Sequence, residues 1–515
     1  MFRDGARKSI WQEEIKRFFS EEQIINNKMF DVFIAGGGIT GLSTALQLQK
    51  RGQKCLLVEA SNIGFGTSGG TTAHLNTFFD ITFDEAISNF GEEQARLLAD
   101  VGNEAIQIIK NNISDYQIEC DFQKKTGYIF ALDQKQHDKL KKMIEGAQKV
   151  GIDMKFCDGV SFPVSFVSVA SIPDQGQFHP IKYIKGLVEA FISLGGIILE
   201  DCMCINHTEE EDGIISVETS KGLFQAASLV YATHIPPGVN VLHLMAAPYR
   251  SYAMAFEIKD HKYSEDLMYD LYDPYRYYRT QIIDDKKLLI AGGEDHKTGH
   301  EEDTGVCFSN LENYVREHFN VGAAVYSWSS QYYEPVDGMP YIGKLPGSKG
   351  NIYAATGFRG NGMIFGTISS EVISDLITEK TSRYEKLVDP GRIKPLAGFA
   401  SFVKENASSA TDFVKDKLFK EKINSLAELN DGEAKVVKYE GDSYAIYKET
   451  GGKTHVLKST CPHTYCDVRW NSAEKSWDCP CHGSRFAVNG KLLTAPSTEG
   501  LQRIYFDDYG NEENA

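Results

Sequence analysis

The chain has 515 residues, with 54 Lys and Arg against 71 Asp and Glu, giving a formal net charge of −17. That length exceeds what one hydrophobic core organises, so two or three domains are expected. The charge excludes a phosphate-backbone binder, which needs clustered cations, so no nucleic-acid partner is expected. A hydrophobic content of 42% with mixed charge indicates a folded globular chain.

Residues 1–27 read as an N-terminal extension. The stretch MFRDGARKSIWQEEIKRFFSEEQ mixes charges throughout and has neither an apolar h-region nor a twin-Arg pair. No apolar run is long enough to span a bilayer, so no transmembrane segment is expected. The location that follows is cytoplasmic, with peripheral membrane association through a partner left open. Of ten cysteines, six are scattered through the first 310 residues and four are packed into 461–481. Such clustering points to a metal site more than to a disulfide framework. Cys202 and Cys204 alternate onto one face of a strand and read as ordinary buried cysteines.

Residues 31–59 form a strand, a glycine turn, a helix and a second strand ending on Glu59. The turn fits G-x-G-x-x-G at Gly36, Gly38 and Gly41. Gly36 permits the tight turn, Gly38 admits a pyrophosphate, and Gly41 lets the helix pack close to the strand. The helix N-terminus then offers free N–H groups and a positive dipole end to the diphosphate. Glu59 would accept hydrogen bonds from ribose hydroxyls and repel a 2′-phosphate, which disfavours NADP. FAD is favoured over NAD by further small-residue loops downstream. The first, GFGTSGGTTAHLN (64–76), carries Ser68, Thr71 and Thr72 as donors for phosphate. The second follows the strand AASLVYATH (226–234) at Thr233. The third, IYAATGFRGNGM (352–363), holds Gly357, Arg359, Gly360, Asn361, Gly362 and Met363, and opens a second helix whose N-terminus faces the electron-rich end of an isoalloxazine.

These motifs, with DGMPYIG at 337–343, resemble the D-amino-acid oxidase-like FAD oxidoreductases, which include glycine and sarcosine oxidases. The resemblance covers roughly 28–380. It implies an α/β FAD-binding Rossmann-like domain interleaved with an α+β antiparallel-sheet substrate domain. It also implies hydride transfer from an amine-bearing carbon to flavin. Glycine-oxidase-like members clamp a substrate carboxylate with an Arg shortly before the D-G-x-P segment, a specific bidentate device. Here WSSQYYEPVDGMP (328–340) has no Arg, and Tyr332 falls near that position. An amino-acid substrate is therefore in doubt, and a bulkier amine or another reduced carbon is open; the substrate expected is a small amine or amino-acid-like molecule. Tyr332 and, on DPYRYYRT (273–280), Tyr278 and Arg279 are the candidate pocket residues. Tyr277, Tyr278 and Arg279 alternate faces on a strand. The competing reading of Arg279 is a strand salt bridge. His74 reads as packing and His234 as a turn residue.

Residues 381–423 read as a linker, with SFVKENASSATDFVKDKLF as an amphipathic helix. From 424 to 515 the texture becomes short alternating strands, an all-β module of usual domain size. Within it lies C-x-H, fifteen residues, then C-x-x-H: Cys461, His463, Cys479 and His482. Each loop offers one thiolate and one imidazole. A structural zinc site also suits that donor set, though zinc loops usually pair like ligands. The loops, with the CPCHGS block, resemble Rieske domains of cytochrome bc and b6f type. In such a centre Cys461 and Cys479 bind one iron of a [2Fe–2S] cluster, and His463 and His482 the other. The resemblance further implies a disulfide between Cys466 and Cys481 and a cluster-facing hydroxyl at Ser484.

The function expected is a two-cofactor dehydrogenase, more than an oxidase. Substrate reduces FAD, and electrons leave through the cluster to an acceptor protein or quinone chain. Two alternatives stand beside it: the cluster feeds electrons to the flavin, or the chain is a non-catalytic electron-carrier or assembly module.

Overall fold

The computed structural model describes residues 5–12, 29–260, 264–272, 274–392, 421–422, 429–439, 441–506 and 512–513. The amphipathic helix expected at 401–419 lies outside the described residues.

The strand Met29–Ala35 is apolar on both faces because it lies inside a parallel sheet covered on both sides. It pairs with Gly222–Tyr231 on one edge and Cys55–Val58 on the other. The path runs Tyr341–Lys344, Ile352–Thr356, Gly222–Tyr231, Met29–Ala35, Cys55–Val58, Ile197–Leu199. The chain leaves this layer after Cys55–Val58 and builds a nine-stranded, mostly antiparallel sheet. At its far edge lie Val321–Pro335, Ala246–Ile258, Lys286–Lys297 and Tyr277–Ile283, side by side. Chain segments pass repeatedly between the two sheets, as the interleaved α/β and α+β reading requires. The largest apolar core lies under the helices Ile39–Lys50, Glu92–Asp115 and Gly362–Thr378.

The C-terminal module has two four-stranded sheets, around Ala434–Tyr439 and Arg485–Ala487. Trp477, Phe486, Val468 and Leu457 fill its core beside Cys461 and Cys479. The module is seated on the nine-stranded sheet. Arg250, fully buried, donates to Ser329 Oγ at 2.7 Å and lies 3.5 Å from Asp478 Oδ2. Asp478 also accepts from Arg485 Nε at 3.0 Å and Asn471 Nδ2 at 2.9 Å. Burial pushes this carboxyl's pKa up, but Arg485 and Arg250 outweigh it and hold the group below the usual range. The buried Glu474 accepts from the Ser329 backbone and hydroxyl, at 2.9 and 2.8 Å.

The N-terminal extension contributes to the same junction. Ala6 and Arg7 donate from their backbone to Glu474, Ser9 bonds Gly69 O at 2.6 Å, and Trp11 Nε1 bonds Thr71 O at 2.6 Å. Residues 5–12 thus strap the small-residue loop to the C-terminal module. Composition gave no sign of this role, because the partners lie 60 to 467 residues away in the chain.

Candidate active site and metal centre

The glycine turn is as crowded as its spacing predicts. A Cβ at Gly36, where φ is +115°, would lie 2.4 Å from Ala232 O. One at Gly41 would lie 1.9 Å from Gly36 O, so the helix sits against the strand. Ser68 Oγ accepts from Ile39 N, at the helix start, at 3.0 Å. Glu59 accepts from Gly37 N at 2.7 Å and Ser61 N at 2.9 Å. Burial raises its pKa against these two bonds.

A cavity of about 1360 Å³ runs from this turn along Ser68, Thr71, Thr72 and Thr233 to the loop Arg359–Met363. Drug-sized pockets span roughly 300–1,000 Å³, so an extended dinucleotide and a second small molecule both fit. Gly41 and Gly357 stand behind the wall; the other expected nucleotide residues border the space.

At the end nearest the antiparallel sheet the wall is aromatic and acidic. Tyr249 and Tyr332 stack with centroids 5.9 Å apart. Tyr332 OH donates to Asp295 Oδ2 at 2.9 Å, and the Ser251 and Tyr277 hydroxyls are 3.0 Å apart. Tyr275 OH donates to Asp80 Oδ1 and Gly360 N to Asp80 Oδ2, each at 2.8 Å. Arg359 is ion-paired with Glu334. Burial pushes the Asp295 carboxyl up to about 7; Asp80 and Glu334 add to this, and the Ser251 and Tyr332 hydroxyls oppose it. His74 borders the cavity between Tyr269 and Tyr277, and its pKa is pushed down to about 3 by burial and Arg279.

Two of the three candidate pocket residues lie elsewhere. Arg279 is fully buried beneath Trp11, and its Nη1 donates to the carbonyls of Thr72, Ala73 and Phe178 at 2.8, 3.1 and 3.3 Å. It braces the small-residue loop and does not border the cavity; neither a pocket residue nor a strand salt bridge describes it. Tyr278 points to the opposite face and packs on Phe162 and Phe319. Strand alternation put Tyr277 and Arg279 on one face, but distance along that face separates them. Tyr332 does border the cavity. Asp295 and Tyr249 escaped the sequence reading because their strands carry no motif, and Tyr275, in the turn before Tyr277–Ile283, meets them only in the fold.

The two cysteine–histidine loops converge. Cys461 and Cys479 are buried and adjacent, and the His463 and His482 rings lie 5.0 Å apart. Cys466 and Cys481 are joined in a disulfide. The sulfurs of Cys466, Cys479 and Cys481 lie within 4.8 Å of one another, but two are tied in the disulfide and offer no thiolate. The Cys479 thiol holds the Cys461 thiol below its usual range, with the His463 backbone N–H and the Ser484 hydroxyl helping. His463 Nδ1 is buried without a hydrogen-bond partner among the described residues. A ligating nitrogen in a metal centre has that environment, and two thiols with two imidazoles suit a mixed-ligand [2Fe–2S] cluster.

Residues 31–376 match the family model for FAD dependent oxidoreductases (DAO), and residues 420–505 match that for the Rieske [2Fe-2S] domain. The chain belongs to the DAO family of FAD-dependent oxidoreductases and carries a Rieske domain. Its DAO domain binds FAD, and its Rieske domain binds a [2Fe–2S] cluster. It is 30% identical over 479 residues to the Rieske 2Fe-2S iron-sulfur protein YhfW of Bacillus subtilis (strain 168), covering 93% of this chain and 94% of that one. It is 26% identical over 377 residues to gamma-glutamylputrescine oxidoreductase of Escherichia coli (strain K12), covering 69% and 85%. The crystal structure of glycine oxidase from Geobacillus kaustophilus superposes with a TM-score of 0.60 at 16% identity, over 71% of this chain and 99% of that one. No helix among the described residues is long and apolar enough to cross a membrane.

The DAO domain touches the Rieske loops directly. Tyr333 OH donates to His482 O at 2.9 Å, and Gln331 Nε2 donates to Gly483 O at 2.8 Å. His463 Nε2 lies 3.0 Å from Gly238 O, and His243 packs edge-on against His463 with centroids 4.6 Å apart. Tyr333 also borders the FAD cavity, where its ring meets that of His234 at 4.7 Å. The Rieske strands contribute to the cavity wall through Val488, Leu492, Thr494 and Ser497. His243 and these Rieske residues carry no sequence signal, since their roles arise from docking alone. His234, read as a turn residue, does adopt a φ of +72°, and it also borders the cavity.

Proposed function

We propose that this oxidoreductase oxidises a small amine at the aromatic end of the cavity and passes the electrons through the Rieske cluster to an external acceptor, a protein or quinone chain. Cys461, His463, Cys479 and His482 hold the cluster. The glycine turn, Glu59, Ser68, Thr71, Thr72, Thr233 and the loop Arg359–Met363 hold FAD. Bound FAD supplies a two-electron oxidant that also releases electrons singly, which suits a one-electron cluster. The protein's part is to orient the substrate, exclude water and keep both centres apposed.

One observation carries the reading: Tyr333 borders the FAD cavity and hydrogen-bonds the backbone of His482. A Rieske domain fused merely as a passenger has no need to share a wall with the flavin site. The relative named gamma-glutamylputrescine oxidoreductase supports an amine substrate, and the absence of Arg from 328–340 argues against a clamped carboxylate. The test is anaerobic addition of a panel of amines and amino acids to the holoprotein, with flavin absorbance and EPR recorded together. Flavin bleaching followed by a reduced Rieske signal is expected. A flavin that no panel member bleaches, but that the chemically reduced cluster reduces, would reverse the direction of flow.

A further inference from the structure

The aromatic end of the cavity holds a carboxylate that the electron route does not use. Asp295 lies on the strand Lys286–Lys297 and enters the cavity among Tyr249, Ser251, Tyr277 and Tyr332. Its two oxygens differ. Oδ2 accepts from Tyr332 OH at 2.9 Å. Oδ1 is buried with no well-formed hydrogen bond among the described residues; the Ser251 hydroxyl approaches the carboxyl closely enough to lower its pKa and also lies 3.0 Å from Tyr277 OH. A buried oxygen left in that state is costly unless a donor arrives.

The surrounding charges specify the donor. Asp80 is satisfied by Tyr275 OH and Gly360 N, and Glu334 by Arg359. Three carboxylates thus face one guanidinium, and that guanidinium is already paired. An incoming carboxylate would meet Asp295, and the neighbouring guanidinium of Arg359 is already paired with Glu334. An incoming ammonium would meet an open acceptor and the rings of Tyr249, Tyr277 and Tyr332, whose faces attract cations.

We infer that Asp295 is the ammonium-binding residue of this cavity and that the substrate is a cationic aliphatic amine, primary or secondary, without an α-carboxylate. This rests on the reading that the cavity oxidises an amine. The proton balance follows. Asp295 Oδ1 takes one proton from the ammonium: an N–H bond breaks, an O–H bond forms, and a neutral amine with a free lone pair remains. That neutral amine can then give up the hydride of its α-C–H bond; bound FAD would supply the two-electron acceptor, and water would hydrolyse the resulting iminium. The raised pKa of Asp295 suits it to accept that proton near neutral pH.

The test compares two isosteric probes on the FAD-loaded holoprotein, tert-butylamine and pivalate, read by perturbation of the flavin absorbance at neutral pH. In tert-butylamine the carbon bonded to nitrogen bears no hydrogen, so it binds without being oxidised. Saturable binding of the amine is expected, with pivalate at least about tenfold weaker. Asp295→Asn, checked for unchanged flavin content, is expected to weaken the amine about 10- to 100-fold, the span for a hydrogen bond to a charged group. Tyr332→Phe, which removes only the bond that orients Asp295, weakens it a fewfold. Pivalate binding as tightly as the amine, no binding of either, or an unchanged amine affinity in Asp295→Asn overturns the assignment. Neither probe turns over. Amine binding without oxidation of any panel amine would therefore sink the proposed reaction and leave this site standing.

Discussion

Ser329, Gln331 and Tyr333 share a strand with Ser330, Tyr332 and Glu334, and the two sets do opposite things. The odd residues meet the Rieske domain: Ser329 bonds Glu474, Gln331 bonds Gly483 and Tyr333 bonds His482. The even residues face the cavity, where Tyr332 bonds Asp295 and Glu334 pairs with Arg359. The two-residue period of a strand turns one set of side chains toward the cluster dock and the other toward the aromatic wall, although Gln331 and Tyr333 on the dock side also border the cavity. Adjacent residues should therefore have separable phenotypes. Changes on the odd side alter docking and cluster reduction; changes on the cavity side alter amine handling.

The largest effect is expected at the cluster itself. Cys479→Ala removes an expected iron ligand, so the Rieske EPR signal disappears while substrate still bleaches the flavin. Metal analysis of the unaltered protein should give two irons per chain; zinc in their place would end the cluster assignment. Next comes Asp478→Asn, which leaves the buried Arg250 and Arg485 without their shared anion. Removing one partner of such a group costs about 3–5 kcal/mol, seen as earlier thermal loss of the cluster signal.

Gly483→Ala sharpens the contrast at the dock. φ there is +80°, and a Cβ would lie 2.7 Å from both Gln331 Nε2 and Pro248 Cβ. The strain, about 1–3 kcal/mol, should slow cluster reduction in stopped-flow traces without slowing flavin reduction. On the cavity side the signature is pH. Asp295 must be ionised to take the proton, and its pKa is raised from 3.8 to about 7. Flavin reduction by amine should rise about tenfold per pH unit below 7 and level off above it, a profile that Asp295→Asn flattens. The same shift acts on stability in the opposite sense. Between pH 3.8 and about 7 the folded state keeps a proton that the unfolded chain has released, so this group's contribution falls as pH rises. The smallest effect is expected for Tyr333→Phe, which deletes one bond worth about 1 kcal/mol. Cluster reduction should slow roughly fivefold, with amine affinity unchanged.

The sequence by itself determined the two cofactors, because each rests on closely spaced residues. Gly36 to Glu59 spans one βαβ unit, and Cys461 to His482 spans two neighbouring loops, so spacing carries the local geometry, and the downstream loops and the family resemblances choose FAD over NAD and the cluster over zinc. Only the tertiary structure decided what surrounds them. Asp295 and Tyr249 come from strands that carry no motif, while Tyr275 and Tyr332 lie in stretches the sequence singled out; the cage exists only where the fold brings all four together. Arg279 shows the limit from the other side. Alternation fixed its face, but the three carbonyls to which its Nη1 donates lie about one hundred and two hundred residues away in the chain. Hydrogen bonds between distant segments are written by packing, and neither composition nor periodicity records them.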